Sequence, residues 1–307
     1  MQRLSMAVAA MTIIAIVAAV SHTAPTTQKT PRHVAITEGD RNPWTHLGFN
    51  DRRENFQFVI VTDRTGGRRP GIFGQAIDRI NLLQPEFVVS VGDLIEGYTE
   101  DPGQWALEWS EFESQVDRLD MPFFFCAGNH DISNLPMSKD WNRRFRRSYY
   151  HFVYHDCLFL VLNSEDPPKD GPFHFSQAQR DWAVDVLKAN SKVRWTFVIT
   201  HKPTWTYPET NLAKQGWSQI EDALKGRRYT VFAGHKHAYA RYVRRGNEYY
   251  MLATTGGSSV LSGVADGRFD HFVWVTMTKD GPVLANLLLD GVQPKTIRTL
   301  ADPSAGK

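Results

Sequence analysis

The stretch FQFVIVTDRTGGRRPGIFGQAIDRINLLQPEFVVSVGD, residues 56–93, holds two apolar runs on either side of an amphipathic segment. Both runs are rich in β-branched and aromatic residues, which is typical of buried strands. Apolar residues recur at helical spacing through the middle segment, at Phe73, Ala76, Ile77, Ile80 and Leu83. Pro85 ends this pattern, so the stretch predicts a strand, a helix and a second, parallel strand.

The same alternation continues along the chain and predicts one α/β domain over residues 56–295. An amphipathic helix is predicted at 105–119, and Ser176 with Gln179 three residues later predicts the start of another. Hairpins are predicted around the Gly246-Asn247 and Asp280-Gly281 turns. The other predicted strands occupy apolar runs within 122–131, 149–154, 157–164, 193–201 and 229–237.

The composition is that of a globular protein with a sizeable core. Of the 307 residues 42% are hydrophobic and 22% are charged, and the formal net charge is +2. No block of like charges occurs, so the sequence carries no specific nucleic-acid signature. Cys126 and Cys157 both lie in apolar runs, and we expect buried free thiols in preference to a disulfide.

The two ends of the chain differ from its middle. Residues 1–24 carry one basic residue, Arg3, and then a mostly apolar run at 6–20. This pattern predicts a signal peptide, with an uncleaved N-terminal membrane anchor as the alternative, because the run is short for a full membrane span. Either form predicts an exported protein, periplasmic or extracellular. Residues 25–55 are predicted to be a polar lead-in, and residues 296–307 a C-terminal tail.

Polar side chains stand at the end of five predicted strands, namely Asp63, Asp93, Asn129 with His130, His201, and His235 with His237. Taken singly, each has an ordinary interpretation as a turn residue or a structural histidine. Ligands of α/β proteins bind at the carboxyl ends of strands, so the joint occurrence indicates one shared site. Oxygen and imidazole donors without thiolate favour Mn, Fe or Zn, and a bridging carboxylate suits a pair of metal ions.

Four short blocks resemble the signature of the calcineurin-like metallophosphoesterases. They are GD at 92–93, GNHD at 128–131, THKP at 200–203 and GHKH at 234–237, in the family's order. The resemblance implies an α/β fold in which two mixed β-sheets pack face to face with helices outside, a four-layer α/β/β/α sandwich. It also implies two divalent or trivalent transition-metal ions.

The resemblance further implies a role for each residue of the site. Asp93 would bridge the two metal ions. The second ion would be bound by Asn129, His201 and His235, and the first by Asp63 and His237. His130 would not bind metal but would protonate the leaving oxygen or stabilise the phosphoryl charge, and Glu96 would orient His130 by hydrogen bonding to one ring nitrogen. Gly92, Gly128 and Gly234 would allow close approach of the backbone to the ligands.

One position departs from the family pattern. Thr65 stands where the family usually has a metal-binding histidine, so the first ion would be completed by water, by Glu96 or by substrate. We hypothesise that Arg64 lies at the rim of the site and pairs with a phosphate oxygen. A solvated turn arginine is the alternative.

The predicted function is that of an exported metal-dependent phosphoesterase. It would hydrolyse a phosphomonoester or phosphodiester, of a small molecule or a polymer, by attack of a metal-bound hydroxide. The alternative is a catalytically impaired protein on the same fold that binds metal or a phosphate ligand. Residues 133–150 and 203–216 are candidate loops over the site. The first, which looks irregular and basic, could grip substrate or be a packed helix with a solvated basic face.

Overall fold

The computed structural model describes residues 34–37, 39–49, 55–168, 172–289 and 291–301. The strands are β1 (Val34–Ile36), β2 (Phe56–Val61), β3 (Phe87–Ser90), β4 (Phe123–Phe124), β5 (Tyr150–Tyr154), β6 (Cys157–Val161), β7 (Glu165–Asp166), β8 (His174–Phe175), β9 (Trp195–Ile199), β10 (Tyr229–Ala233), β11 (Ala240–Arg244), β12 (Asn247–Met251), β13 (His271–Thr278), β14 (Gly281–Leu288), β15 (Gly291–Pro294) and β16 (Thr299–Leu300). The α-helices are α1 (Ile72–Leu83), α2 (Pro102–Val116), α3 (Leu135–Phe145), α4 (Gln177–Ala189), α5 (Glu209–Gln215) and α6 (Trp217–Ala223).

Two mixed sheets form the centre of the molecule. The larger sheet has the order β1-β5-β6-β9-β10-β12-β11-β16, and the smaller has the order β15-β14-β13-β2-β3-β4. The strands β6, β9, β10 and β12 run parallel, as do β2, β3 and β4. Both predicted hairpins are confirmed by the antiparallel pairs β11–β12 and β13–β14.

Three apolar clusters fill the spaces between four layers. In strand β2, which is apolar at every position except Gln57, Phe58 and Ile60 face the cluster between the sheets, whereas Val59 and Val61 face α1, α2 and α3. The third cluster lies between the larger sheet and α4, α5 and α6. The strands of a sheet covered on both faces have nearly continuous runs of apolar residues. The predicted α/β/β/α layering is therefore confirmed.

Residues outside the predicted limits of the domain also join the larger sheet. Strand β1, within the predicted polar lead-in, pairs with β5 of the larger sheet, whereas Trp44 packs on the smaller sheet, its ring 6.1 Å from that of Phe124 in β4. At the other end, β16 pairs with β11 within the predicted tail. The predicted leader, residues 1–24, lies outside the described residues. No helix in the described part of the chain has the length and hydropathy needed to cross a membrane.

Segment 133–150 contains helix α3, so the packed-helix interpretation is confirmed. Met137, Trp141 and Phe145 are buried on one face of α3. Its arginines do not form a free basic patch, because Arg143 and Arg144 both pair with Asp140. The prediction for the thiols is also confirmed, since both cysteines are free and buried.

Candidate metal centre

The polar residues predicted from the strand ends lie together in the structure. Asp63 follows β2, Asp93 follows β3, and His201 follows β9. Two groups of potential ligand atoms form there, each with its atoms within 4.8 Å of one another. One group is Asp93, His201 and His235, and the other is Asp63, Asp93 and His237. Asp93 belongs to both groups, which is the arrangement a bridging ligand requires.

Asp93, His201 and His235 form the second-metal group, the group expected to bind the second metal ion. It is built around His201, which is fully buried. Its Nδ1 lies 3.0 Å from the carbonyl oxygen of Val91, so Nδ1–H donates there and Nε2 faces the site. Nε2 lies 3.2 Å from Asp93 Oδ2 and 2.9 Å from Asn129 Oδ1. These three atoms thus converge on one point, and a cation that displaced the proton on Nε2 would fit that donor set.

Asp63, Asp93 and His237 form the first-metal group, the group expected to bind the first metal ion. It is built around Asp63 and His237. His237 Nδ1–H donates to the carbonyl oxygen of Ser258 at 2.6 Å, and Nε2 lies 3.5 Å from Asp63 Oδ1. The same Asp63 oxygen accepts the backbone N–H of His235 at 2.7 Å, which links the two groups. The Thr62 hydroxyl donates to the other oxygen at 2.5 Å. Asp63 is therefore fixed from several sides.

The electrostatics favour ionised carboxylates and at least one neutral imidazole. Burial opposes ionisation of Asp63 and Asp93, but the neighbouring His237 and His201 outweigh it and lower the pKa of both carboxyls. Burial also opposes the charge on His201, but Asp93 and Asp63 raise the pKa of that ring to about 9. Burial and the neighbouring His201 lower the pKa of His235 to about 2. His235 is thus neutral and has a lone pair for a metal ion.

The backbone at this site is strained in the way that functional sites often are. Asp93, His235 and His237 have φ of 57°, 71° and 49°, in the left-handed region that residues other than glycine rarely adopt. Gly128 and Gly234 are required by close packing, because a Cβ on either would overlap the carboxylate of Asp93 or Asp63, respectively. The predicted need for glycine at these two positions is therefore confirmed.

His130 lies against the same centre with its ring held at one end. Its backbone N–H donates to Asp93 Oδ1 at 3.0 Å. Its Nδ1 lies 2.5 Å from the carbonyl oxygen of Glu96, so Nδ1–H donates to that oxygen and Nε2 is left for other contacts. A Cβ built on Gly66 would lie 3.3 Å from Nε2 and 3.1 Å from His237 Cε1. The free nitrogen thus lies near the first-metal group.

The prediction that the Glu96 side chain holds His130 is wrong, because the backbone carbonyl of Glu96 makes that contact. The carboxylate instead accepts the backbone N–H groups of Arg68 at 2.7 Å and Gly67 at 3.2 Å. Burial opposes the charge, but the Thr65 hydroxyl and these N–H groups outweigh it and lower the pKa of Glu96. The Glu96 carboxylate therefore holds the turn that directly follows Thr65, the residue that stands where a histidine was expected.

The prediction for Arg64 is also wrong, because its side chain does not lie at the rim. The residue is only 2% exposed. Its guanidinium donates to the carbonyl oxygen of Leu94 at 2.7 Å and pairs with Glu111 of α2. It also lies over the rings of Phe73 and Phe112, 5.7 and 5.3 Å from their centroids. Arg64 is thus a structural arginine between the smaller sheet and its helices.

Asp131 is a residue of the site to which sequence reasoning assigned no role. It is 1% exposed and accepts backbone N–H groups from Asp93, Leu94, Ile95 and Gly128 at 2.8–3.1 Å. These bonds join the loop that carries Asp93 to the loop that carries Asn129. Burial and the Asp93 charge raise the pKa of Asp131 to about 7. The fourth letter of GNHD was the available signal.

The second candidate loop, 203–216, presents less to the site than its aromatic content indicates. Trp205 is 1% exposed, and its ring lies 5.0 Å from that of Tyr249. Tyr207 is partly exposed and packs on Phe173 at 5.3 Å, with Lys236 Nζ 5.3 Å from its centroid. Of these two aromatic residues, only Tyr207 has a partly exposed side chain.

Comparisons with known proteins find a matching family model and related phosphatases. A family model described as calcineurin-like phosphoesterase matches residues 45–239. Serine/threonine-protein phosphatase CPPED1 of Bos taurus is 35% identical over 99 residues, covering 30% of this chain and 31% of the relative. Probable purple acid phosphatase 20 of Arabidopsis thaliana is 24% identical over 160 residues, covering 44% and 36%. The chain thus spans less than half of the length of these curated relatives.

Solved structures show the same fold. A dimetal phosphatase from Danio rerio superposes with a TM-score of 0.57 at 13% identity, covering 78% of this chain and 98% of that one. GAP50, the anchor in the inner membrane complex of Plasmodium, gives a TM-score of 0.58 at 14% identity, covering 82% and 99%. At such identities the likeness shows the fold alone. The family model, however, covers more than half of the sequence and includes all the strand ends described above, and the chain belongs to the calcineurin-like phosphoesterase family.

Proposed function

We propose that this protein is a metal-dependent phosphoester hydrolase with a dinuclear centre. The observation that carries the proposal is that the Asp93 carboxylate belongs to two separate groups of ligand atoms. When bound, two metal ions would supply positive charge for the phosphoryl oxygens and lower the pKa of a bound water. A donor set of imidazole, carboxylate and amide oxygen supports Mn, Fe or Zn.

The chain's own residues would divide the work as follows. Asn129, His201 and His235 would hold the second ion, Asp63 and His237 would hold the first, and Asp93 would be a ligand of both. His130 is not in either group and keeps Nε2 free, because Nδ1–H is held by the Glu96 carbonyl. In its doubly protonated form, the His130 ring could therefore donate the proton on Nε2 to the leaving oxygen and keep the proton on Nδ1.

The two sites should differ in affinity. The second-metal group has an amide oxygen and two imidazoles besides Asp93, whereas the first has one carboxylate and one imidazole. At position 65, where an imidazole would complete the first group, the chain has a threonine beside the Glu96 carboxylate. Fewer donors mean weaker binding, so the first ion should be the one lost on dilution.

The test joins metal analysis to a phosphoester panel. The purified chain is stripped with chelator, reloaded with Mn²⁺, Fe²⁺ or Zn²⁺, and assayed with p-nitrophenyl phosphate and bis(p-nitrophenyl) phosphate. His130→Ala should lower kcat by about 10²–10⁴-fold and retain both ions, because His130 supplies a proton and no ligand. His151→Ala, whose ring lies near Trp182, is the matched control.

Two outcomes would count against the proposal. If no metal gives turnover while phosphate binds tightly, the chain is the catalytically impaired ligand-binding protein considered above. If His130→Ala keeps full activity, the acid role is wrong. The ratio of rates on the two substrates would also show whether the chain is a monoesterase or a diesterase.

We further propose that residues 1–24 direct export, as a cleaved signal or a membrane anchor. Support comes from the basic start and the apolar run at 6–20. Fractionation of cells expressing the full chain, with N-terminal sequencing of the product, would test this. An intact N-terminus in the cytosolic fraction would contradict it.

A further inference from the structure

Tyr98 stands beside the metal centre but is no part of the donor set. It follows β3 in the same loop as Asp93 and is 63% exposed. The Asn129 Nδ2 group donates to its hydroxyl at 3.0 Å, and its ring meets the His130 ring edge-on at a centroid distance of 4.7 Å. One exposed side chain therefore contacts both a proposed metal ligand and the proposed acid.

The backbone at Tyr98 is strained, which indicates that its position is enforced. Gly97 and Tyr98 both lie in the left-handed region, with φ of 56° and 48°. Only glycine fits at 97, because a Cβ there would overlap the carbonyl oxygen of His130. A bulky residue with positive φ is an outlier that persists when surrounding contacts fix it, and such outliers cluster at functional sites.

The contact with Asn129 bears on metal binding because the two ends of an amide differ. Oδ1 can bind a cation and Nδ2 cannot, so the plane and direction of the amide decide whether Asn129 is a ligand. With Nδ2 bonded to Tyr98, Oδ1 points at His201 Nε2, 2.9 Å away, on the side of Asp93. The Tyr98 hydroxyl thus gives the amide a partner at its far end in the orientation that a metal ion needs.

We propose that Tyr98 is a positioning residue with two separable effects, a conclusion that rests on the proposed function. Its hydroxyl orients the Asn129 amide for the second metal ion. Its ring packs edge-on against the His130 imidazole and limits the rotation of that imidazole, whose Nδ1–H donates to the Glu96 carbonyl. Contacts of this kind to metal ligands typically change metal affinity by about 10–100-fold.

Two variants of the full-length protein separate these effects. Tyr98→Phe removes the hydroxyl and keeps the ring, whereas Tyr98→Leu removes both. Because Tyr98 is largely exposed, water can partly replace the hydroxyl, so the expected loss lies near the lower end of that range. Tyr149→Phe is the matched control, since Tyr149 packs on Trp182 at 4.9 Å.

The main readout is calorimetric titration of each chelator-treated protein with Mn²⁺, together with kcat and KM at saturating Mn²⁺. We expect Tyr98→Phe to bind one Mn²⁺ as the wild type does and the other about 10-fold more weakly, with kcat and KM at saturating Mn²⁺ equal to those of the wild type. Tyr98→Leu should show the same loss of affinity and should also lower kcat at saturating Mn²⁺ while KM stays unchanged, because the His130 ring is then less restrained. Thermal midpoints equal to the wild type would show that both variants are folded.

The inference is overturned if Tyr98→Phe binds both ions as the wild type does, or loses affinity equally at both sites, as general loosening would cause. These results would leave the proposed function intact, since the wild type would still bind two ions and hydrolyse the panel. A wild-type chain that binds no Mn²⁺ would instead overturn the proposed function, and this inference with it.

Discussion

Replacing Arg64 by methionine should lower stability and leave substrate binding unchanged. The change would leave the buried Leu94 carbonyl without the guanidinium that donates to it at 2.7 Å. Losing a hydrogen bond from a charged donor costs about 1.5–3 kcal/mol. The pair with Glu111, which is 41% exposed, adds about 0–1 kcal/mol. Each cation–π contact adds about 0.5–1 kcal/mol, of which the methionine sulfur regains part.

Removing a buried charge also relieves its desolvation, so the net loss should be about 2–3 kcal/mol. For a domain of this size that corresponds to a fall in Tm of about 4–10 °C. Differential scanning calorimetry measures the fall. If Arg64 bound a phosphate oxygen instead, KM would rise by about 10-fold or more, since a charged hydrogen bond of that strength is lost.

Arg68→Met is the matched control, because Arg68 pairs with the same Glu111 at 2.5 Å but is 39% exposed. Exposed pairs contribute little, so its Tm should lie within about 2 °C of the wild type. A higher KM in Arg64→Met at an unchanged Tm would refute the reasoning and restore the rim position. Equal falls in Tm for both variants would show that the exposed pair, and not the buried carbonyl, carries the stability.

Three further outcomes are expected. Glu96→Gln should lower kcat only several-fold, because the His130 ring is held by the Glu96 carbonyl, which this change leaves in place; a fall of about 10²-fold or more would contradict this. Asp131→Ala should lower the free energy of unfolding by at least about 3 kcal/mol, since four backbone N–H groups lose their acceptor, and urea denaturation at the wild-type midpoint would disprove it. Burial raises the pKa of Cys126 well above its usual range and that of Cys157 to about 12, so at pH 8 both thiols stay protonated and a thiol reagent should label only unfolded chain.

The sequence was informative where local chemistry and strand order decide the outcome. Strand ends place Asp63 and Asp93 at one edge of a sheet whatever their side chains contact, and apolar runs predicted the longer strands, whereas their division into two sheets was implied by the family resemblance. Short edge strands such as β1 and β16 escaped prediction because two or three residues carry no measurable periodicity. The sequence of helix α3 was interpreted as irregular because it is rich in arginine. Met137 and Trp141 are nevertheless at helical spacing and lie on the buried face of α3.

Side-chain direction was harder to predict than position. Arg64 could have reached either side of its turn, and the partner that decided the matter, Glu111, lies 47 residues away on another helix. For Glu96, the family resemblance placed the residue correctly beside His130 but could not say which of its oxygens would meet the ring. Gly66 and Gly67 both adopt positive φ, and the N–H groups of Gly67 and Arg68 attracted the carboxylate.

The histidines show why the ligand set could be predicted while its surroundings could not. In His130, His201 and His237 alike, Nδ1–H donates to a backbone carbonyl, of Glu96, Val91 and Ser258 respectively, and Nε2 faces the centre. Carbonyl direction depends on loop conformation and not on the identity of the side chain that bears the carbonyl. The side chains at 64, 65 and 96 can therefore take other tasks while the rings keep their orientation. The threonine at 65 removes one donor from the first-metal group without disturbing the contacts that orient the rings, which is why the two proposed sites should differ in affinity within one preserved scaffold.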